Sequence, residues 1–310
     1  MRDRPDWTTI DWGEHLRQTQ IDGRRVNYVD IGSGDGPPAV LVHGIAGNWQ
    51  NWLENIPRFA QERRVIALDL PGFGESEDTA DAPTMSGLGR AVDALCDHLD
   101  LGEIALIGNS MGGFIAAETA IQFPERVERL VLCSSAGITT SELRREPVLA
   151  WGRAMSMGGT RSAAEVRMAI LRPRLRHLIF SLLVRHPSRV SADILFEISR
   201  GAGREAFMPT LRAILEYDFR DRLPDVRCPT LIVWGAKDAI VPKDDAYEYE
   251  RLIPGTQPVL MLDDTGHLPM VERPRTFNDR VLEFLDGPAP RQGIEQEAAT
   301  ALKGSDPVRT

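Results

Sequence analysis

Four short apolar runs constrain this chain most: AVLV at 39–42, RVIALD at 64–69, IALIG at 104–108 and RLVLC at 129–133. None alternates apolar with polar residues, so each reads as a strand buried on both faces, the mark of a parallel sheet. Helical stretches at 86–99 and 111–123 lie between them. Parallel neighbours need crossover connections, so this alternation predicts a doubly wound α/β sheet covered by helices on both faces. A hairpin over residues 15–32, turning at Asp22-Gly23, precedes the series.

The series stops near residue 137 and resumes at 229 with PTLIVWG. A helix near 243–253, a strand within QPVLMLD (257–263) and a last helix over 274–286 then follow. Between the two parts there is no strand-like run, only helical segments punctuated by Pro147, Gly158, Pro173, Pro187 and Gly201. The expected organisation is a core formed by 15–136 and 228–287, with an all-helical cap inserted at 137–227. Residues 135–228 hold sixteen arginines and no lysine against ten acidic residues, a net +6 inside a chain of net −9. The insert is therefore the basic part of an acidic protein. Residues 288–310 are polar and poor in large apolar groups, and are expected to be a disordered tail.

Composition excludes several classes. With 36 basic against 45 acidic residues and a pI near 5.3, no general attraction to nucleic acid is expected. Cys96, Cys133 and Cys228 are odd in number and lie far apart, which fits neither a disulfide framework nor a zinc or redox pair. They are expected to be reduced and buried. No run approaches the ~20 apolar residues of a membrane span, and the first residues do not read as a signal peptide. A cytoplasmic enzyme needing no metal or organic cofactor is the expectation.

The chemistry points to Gly108-Asn109-Ser110-Met111-Gly112, a G-x-S-x-G sequence at the joint of a strand and a helix. A serine on so sharp a turn adopts strained backbone angles, and flanking glycines remove the Cβ atoms that would collide there. A glycine-rich turn with a solvated serine is the plainer reading, but the strand before and the helix after favour a nucleophile. A serine hydroxyl needs a base. Of six histidines, His267 in DDTGHLPMVERP follows the last strand, where a loop reaches the same sheet edge. Asp238, in VWGAKDAIVP, also follows a strand and is the acid that would orient the base. Taken singly, Asp238 reads equally as a turn residue and His267 as a loop histidine. Asp263 and Asp264 are second choices, too local to His267 to clamp it.

An acyl-transfer intermediate also needs fixed donors for its oxyanion. VLVHGIAGN turns through Gly44, Ala46 and Gly47, and assigns that role to the backbone N–H groups of Ile45 and Met111. His43 is expected to support this loop, and Asp69 in DLPGFGES to be structural. Trp49, after the oxyanion loop, is a candidate substrate contact, though such residues are more often core.

These motifs together resemble the α/β-hydrolase superfamily over about residues 15–286. They are H-G-I-A-G at 43–47, D-L-P-G-F-G-E-S at 69–76, G-N-S-M-G-G at 108–113, D-A-I-V-P from 238 and G-H from 266. The resemblance implies a mostly parallel eight-stranded sheet, a cap between its sixth and seventh strands, and Ser110, Asp238 and His267 as nucleophile, acid and base. Haloalkane dehalogenases and epoxide hydrolases are similar but carry an aspartate nucleophile, whereas position 110 is serine. Carboxylesterases and monoacylglycerol-type lipases share the loop and triad motifs. Meta-cleavage-product hydrolases, which split carbon–carbon bonds, share G-N-S-M-G-G, but commonly have tryptophan where this chain has Leu268.

The reading is a serine hydrolase of esters with an apolar acyl group. The alternatives are a carbon–carbon hydrolase of dienoate diketones and a small-ligand receptor on a hydrolase fold. RPRLRHLIFSLLVRHPSR at 172–189 combines an apolar run with arginines. It fits an ordinary helix with a solvated arginine rim, an acyl pocket, a peripheral lipid contact or a carboxylate clamp.

Overall fold

The computed structural model describes residues 6–79, 81–142, 146, 148–150 and 163–287. Its centre is one eight-stranded sheet of order β1-β2-β4-β3-β5-β6-β7-β8. The strands are β1 Leu16–Ile21, β2 Arg24–Ile31, β3 Ala39–Val42, β4 Val65–Leu68, β5 Ile104–Asn109, β6 Val127–Cys133, β7 Thr230–Gly235 and β8 Leu260–Leu262. The hairpin β1–β2 turns at Asp22 and Gly23, both at positive φ, and β2 joins β4 antiparallel. Every pairing from β4 through β3 to β8 is parallel.

All residues of β3, β4, β5 and β7 are buried, as non-alternating apolar runs require. Side-chain period divides them between two cores. Val40, Val42, Ile66 and Leu106 pack under helices Met85–His98 and Met111–Gln122, while Leu41, Val65, Ile107 and Val233 pack against helix Pro274–Asp286. The first pair of helices is further tied by Glu118, which is fully buried. Its carboxylate accepts from Ser86 Oγ at 2.8 Å, Tyr217 Oη at 3.0 Å and Arg222 Nη1 at 2.9 Å. A buried carboxylate needs such partners, because an unpaired charge there would be strongly destabilising.

The last strand is shorter than the sequence implies. Pro258 has no N–H to give a ladder, and the Val259 N–H donates to Glu250 Oε1 at 3.1 Å, so regular pairing starts only at Leu260. Between β6 and β7 the described residues form helices Ala163–Ile170, Pro173–Phe180, Ala192–Ser199 and Phe207–Glu216, and no strand. Pro147, Gly158 and the expected tail at 288–310 lie outside the described residues. No helix is long and apolar enough to cross a membrane among the described residues.

The three cysteines are free and buried. Burial pushes the thiols of Cys96 and Cys228 up to about 12 and that of Cys133 further still. Thiolate, the reactive form, is therefore withheld at neutral pH. A water-soluble thiol reagent should leave the native protein unlabelled and modify three thiols once it is unfolded. Rapid labelling of the folded chain, followed by mass, would contradict this burial.

Candidate active site

β5 ends at Asn109 and a helix begins at Met111, which leaves Ser110 at φ 57°, ψ −121°. The glycines are a steric requirement. A Cβ on Gly108 would sit 2.1 Å from the Gly112 carbonyl oxygen, and one on Gly112 would sit 2.2 Å from that of Val42. Four backbone bonds hold the turn: Ser110 N–H to Cys133 O at 3.0 Å, and the N–H groups of Gly113, Phe114 and Ala136 to Ser110 O at 3.0, 3.2 and 3.0 Å. The following helix also points its unpaired first N–H groups, Met111 among them, toward this joint.

His267 and Asp238 meet at the same sheet edge. Asp238 follows β7, and its Oδ2 accepts from His267 Nδ1 at 2.8 Å, with the two side chains 0 % and 3 % exposed. Its other oxygen accepts from the N–H groups of Ile240 and Val241 at 2.8 and 3.0 Å. The carboxylate thus fixes both its own turn and the imidazole, whose Nε2 is left to accept a proton. Asp264 is engaged elsewhere: it pairs with His186 Nε2 at 2.8 Å.

Sequence reasoning missed Asn109. Its Nδ2 donates to Cys133 O at 3.1 Å and to His267 O at 3.3 Å, joining the serine turn to the histidine loop. Only its place in the variable slot of G-x-S-x-G pointed to it. Glu272 was missed as well. Its two oxygens accept from the N–H groups of Gly266, at 2.7 Å, and Arg185, at 2.8 Å, while the His267 N–H donates to Leu183 O at 3.0 Å. The histidine loop is therefore laced to residues 183–185 of the helical insert.

The expected oxyanion loop lies against the serine. A Cβ on Gly44 would be 3.1 Å from Ser110 Cβ, so the backbone carrying the Ile45 N–H passes directly beside it. His43 is fully buried; its Nδ1–H donates to Gly44 O at 2.7 Å and its Nε2 accepts from the Leu70 N–H at 3.0 Å. Asp69 accepts from Trp49 N–H and Asn27 Nδ2, both 2.8 Å, and from Glu75 N–H at 2.9 Å, which locks the two glycine loops together.

Trp49, the candidate substrate contact, is a core residue, 5% exposed. Its ring packs on Trp12 at 5.0 Å and lines a cavity of about 490 Å³ with Trp7, Trp12 and Glu197, whose walls include none of Ser110, Asp238 or His267. Its backbone N–H is held by Asp69, and its ring faces the N-terminal segment. Among the described residues no group of three His, Cys, Asp or Glu side chains could hold a metal ion.

Two predictions test this architecture. Gly112→Ala forces a methyl group into the end of β3 and should destabilise the protein by roughly 1–3 kcal/mol in denaturant titration. Burial pushes the His43 imidazole below its ordinary value of 6.5, against an opposing pull from Asp69. The unfolded state then binds more protons just below 6.5, so stability should fall as pH drops through that value. Glu54 and Glu272, held above their ordinary 4.5 by desolvation, act in the opposite sense but at lower pH. His43→Leu should cost about 1–3 kcal/mol by orphaning the Leu70 N–H and make the melting temperature less dependent on pH in the window below 6.5. An unchanged slope would show that another group carries it.

A family model described as the alpha/beta hydrolase fold matches residues 37–274. The dihydrolipoyllysine-residue acetyltransferase component of the acetoin cleaving system of Pseudomonas putida is 35% identical over 283 residues, covering 88% of this chain and 70% of that protein. The 2-hydroxy-6-oxononadienedioate/2-hydroxy-6-oxononatrienedioate hydrolase of Escherichia coli K12 is 32% identical over 279 residues, 85% of this chain and 92% of the relative. A solved thermophilic esterase from Thermogutta terrifontis is 26% identical with a TM-score of 0.70, covering 87% of this chain and 98% of its own. With the elbow, the sheet order and the matched span in agreement, this chain belongs to the alpha/beta hydrolase family.

Proposed function

We propose that this protein is a serine hydrolase of carboxylic esters with apolar acyl groups, working through an acyl-enzyme. The observation that carries the proposal is the 2.8 Å His267–Asp238 bond on a loop that Asn109 ties to the strained Ser110 turn. Ser110 Oγ attacks the ester carbonyl as His267 Nε2 takes its proton, and Asp238 stabilises the resulting imidazolium. The oxyanion is held by the Ile45 and Met111 N–H groups. His267 returns the proton to the leaving alcohol, and water, deprotonated by the same nitrogen, releases the acid. No step calls for a metal or organic cofactor.

The helical insert serves as the cap that selects the substrate. Phe207, Leu211 and Leu215, with Leu149, form an apolar cluster against which Ile45 and Ala46 of the oxyanion loop pack. An acyl chain lying beside Ser110 would meet hydrocarbon there, which favours apolar over charged acids. The second reading is hydrolysis of a carbon–carbon bond, favoured by the 32% identity to the Escherichia coli hydrolase. Leu268, buried next to His267, offers no polar group to such a substrate and supports the ester.

Ser110→Ala should lower ester turnover by roughly 10⁴ or more while leaving the melting temperature close to that of the parent. A fluorophosphonate should label the parent at Ser110 and not the variant. Turnover across aryl esters, monoacylglycerols, lactones and a coloured dienoate then decides substrate class. Faster cleavage of the dienoate would replace the ester reading, and labelling without turnover on any of them would indicate a receptor.

A further inference from the structure

We infer that the helical insert carries a docking face for an anionic lipid surface. Six of the eight exposed large apolar side chains among the described residues fall within 168–182: Met168, Leu171, Leu175, Leu178, Ile179 and Leu182. Leu178 is 75% exposed, too open to be the wall of an acyl pocket. On helix Pro173–Phe180, Leu175, Leu178 and Ile179 recur at i, i+3 and i+4, and Leu182 continues the stripe at i+7 in the next turn. Phe180, on another side of the helix, is the residue that packs inward. The stripe is thus an apolar face additional to the one that anchors the helix.

Charge selects the occupant. At 100° per residue, exposed Arg174 and half-buried Arg176 stand on the two borders of the stripe, exposed Arg172 precedes it, and Arg185 and Arg189, exposed but sharing Asp264 at 3.7 and 3.4 Å, follow it. A second copy docking by the same face would set this arginine rim against its own image, which like charges oppose. An anionic bilayer offers hydrocarbon for the leucines and phosphates for the rim, the arrangement of an interfacial helix. The negative charge on the rest of the chain does not defeat this, because salt screens charges more than about 8 Å apart at physiological strength.

The stripe runs directly into residues 183–185, which hydrogen-bond the His267 loop and Glu272. Docking would therefore bring lipid next to the proposed active site. That consequence rests on the hydrolase reading, whereas the docking itself does not.

Co-sedimentation tests the inference with two vesicle types, phosphatidylcholine alone and equal parts of phosphatidylcholine and phosphatidylglycerol. The full chain should pellet with the mixed vesicles only, and high salt should release it. The double variant Leu178→Asp/Leu182→Asp should bind roughly tenfold more weakly or worse. Arg174→Gln, at an exposed position, should bind roughly fivefold more weakly and serves if the double variant melts early. Retention on neither vesicle, equal retention on both, or a dimer in light scattering that Leu178→Asp/Leu182→Asp separates would each overturn the proposal. Binding needs no turnover, so a chain that docks but cleaves no ester would fail the hydrolase reading alone.

Discussion

The structure depends on a backbone conformation that Ser110 does not favour. A non-glycine residue at positive φ costs on the order of 1–3 kcal/mol, and it persists only where its surroundings over-determine it. Here the over-determination is visible. β5 and β6 hold the turn from one side through Cys133 O, the helix after it bonds back to Ser110 O, and Gly108 and Gly112 let backbone pass where a methyl group would collide. Strain at residue 110 is therefore the by-product of a close-packed strand–helix joint buried in the centre of the sheet. The offsetting stabilisation comes from β5 itself and its neighbour β3, whose residues are all buried.

The same economy of space governs the neighbouring loops. Asp69 gathers three donors from separate segments, and a Cβ on Gly74 would fall 2.1 Å from its carboxylate. His43 spans the gap between the loops after β3 and β4 as a neutral imidazole, donating at one nitrogen and accepting at the other. Charging it would replace the acceptor by a donor facing the Leu70 N–H. Burial and hydrogen bonding thus demand one protonation state, which is how a supporting histidine differs from a base that must exchange its proton.

Much of this was legible in the sequence because it is local. The apolar runs specified the parallel strands, Asp22-Gly23 specified the hairpin, and the G-x-S-x-G spacing placed Ser110 at the strand–helix joint. The pairing of Asp238 with His267, 29 residues apart, followed from both lying at ends of parallel strands, which topology forces onto one edge. Asn109, Glu272 and Glu118 were not legible. Each acts by reaching distant backbone or side-chain groups, and an isolated polar residue carries no periodic signal of its partners. The partner of the Trp49 ring was not legible for the same reason: its position after Gly47 is local information, but the ring packs on Trp12, 37 residues earlier.

The insert is held over this edge by two different kinds of contact. At the histidine end, Leu183 and Arg185 make directional hydrogen bonds to His267 and Glu272. At the end near Gly44 the contact is apolar, between Ile45, Ala46 and the Phe207–Leu215 cluster, with Gly201 so close that a Cβ there would lie 2.5 Å from Ala46 O. Hydrogen bonds fall off steeply with misalignment, whereas apolar side chains can slide and re-form contacts of similar area. The loop carrying His267 is thereby held by the directional tie, and the apolar contact at Ile45 and Ala46 is the more adaptable one. For the proposed reaction, that division would let the proton carrier keep one geometry while the acyl group it serves varies.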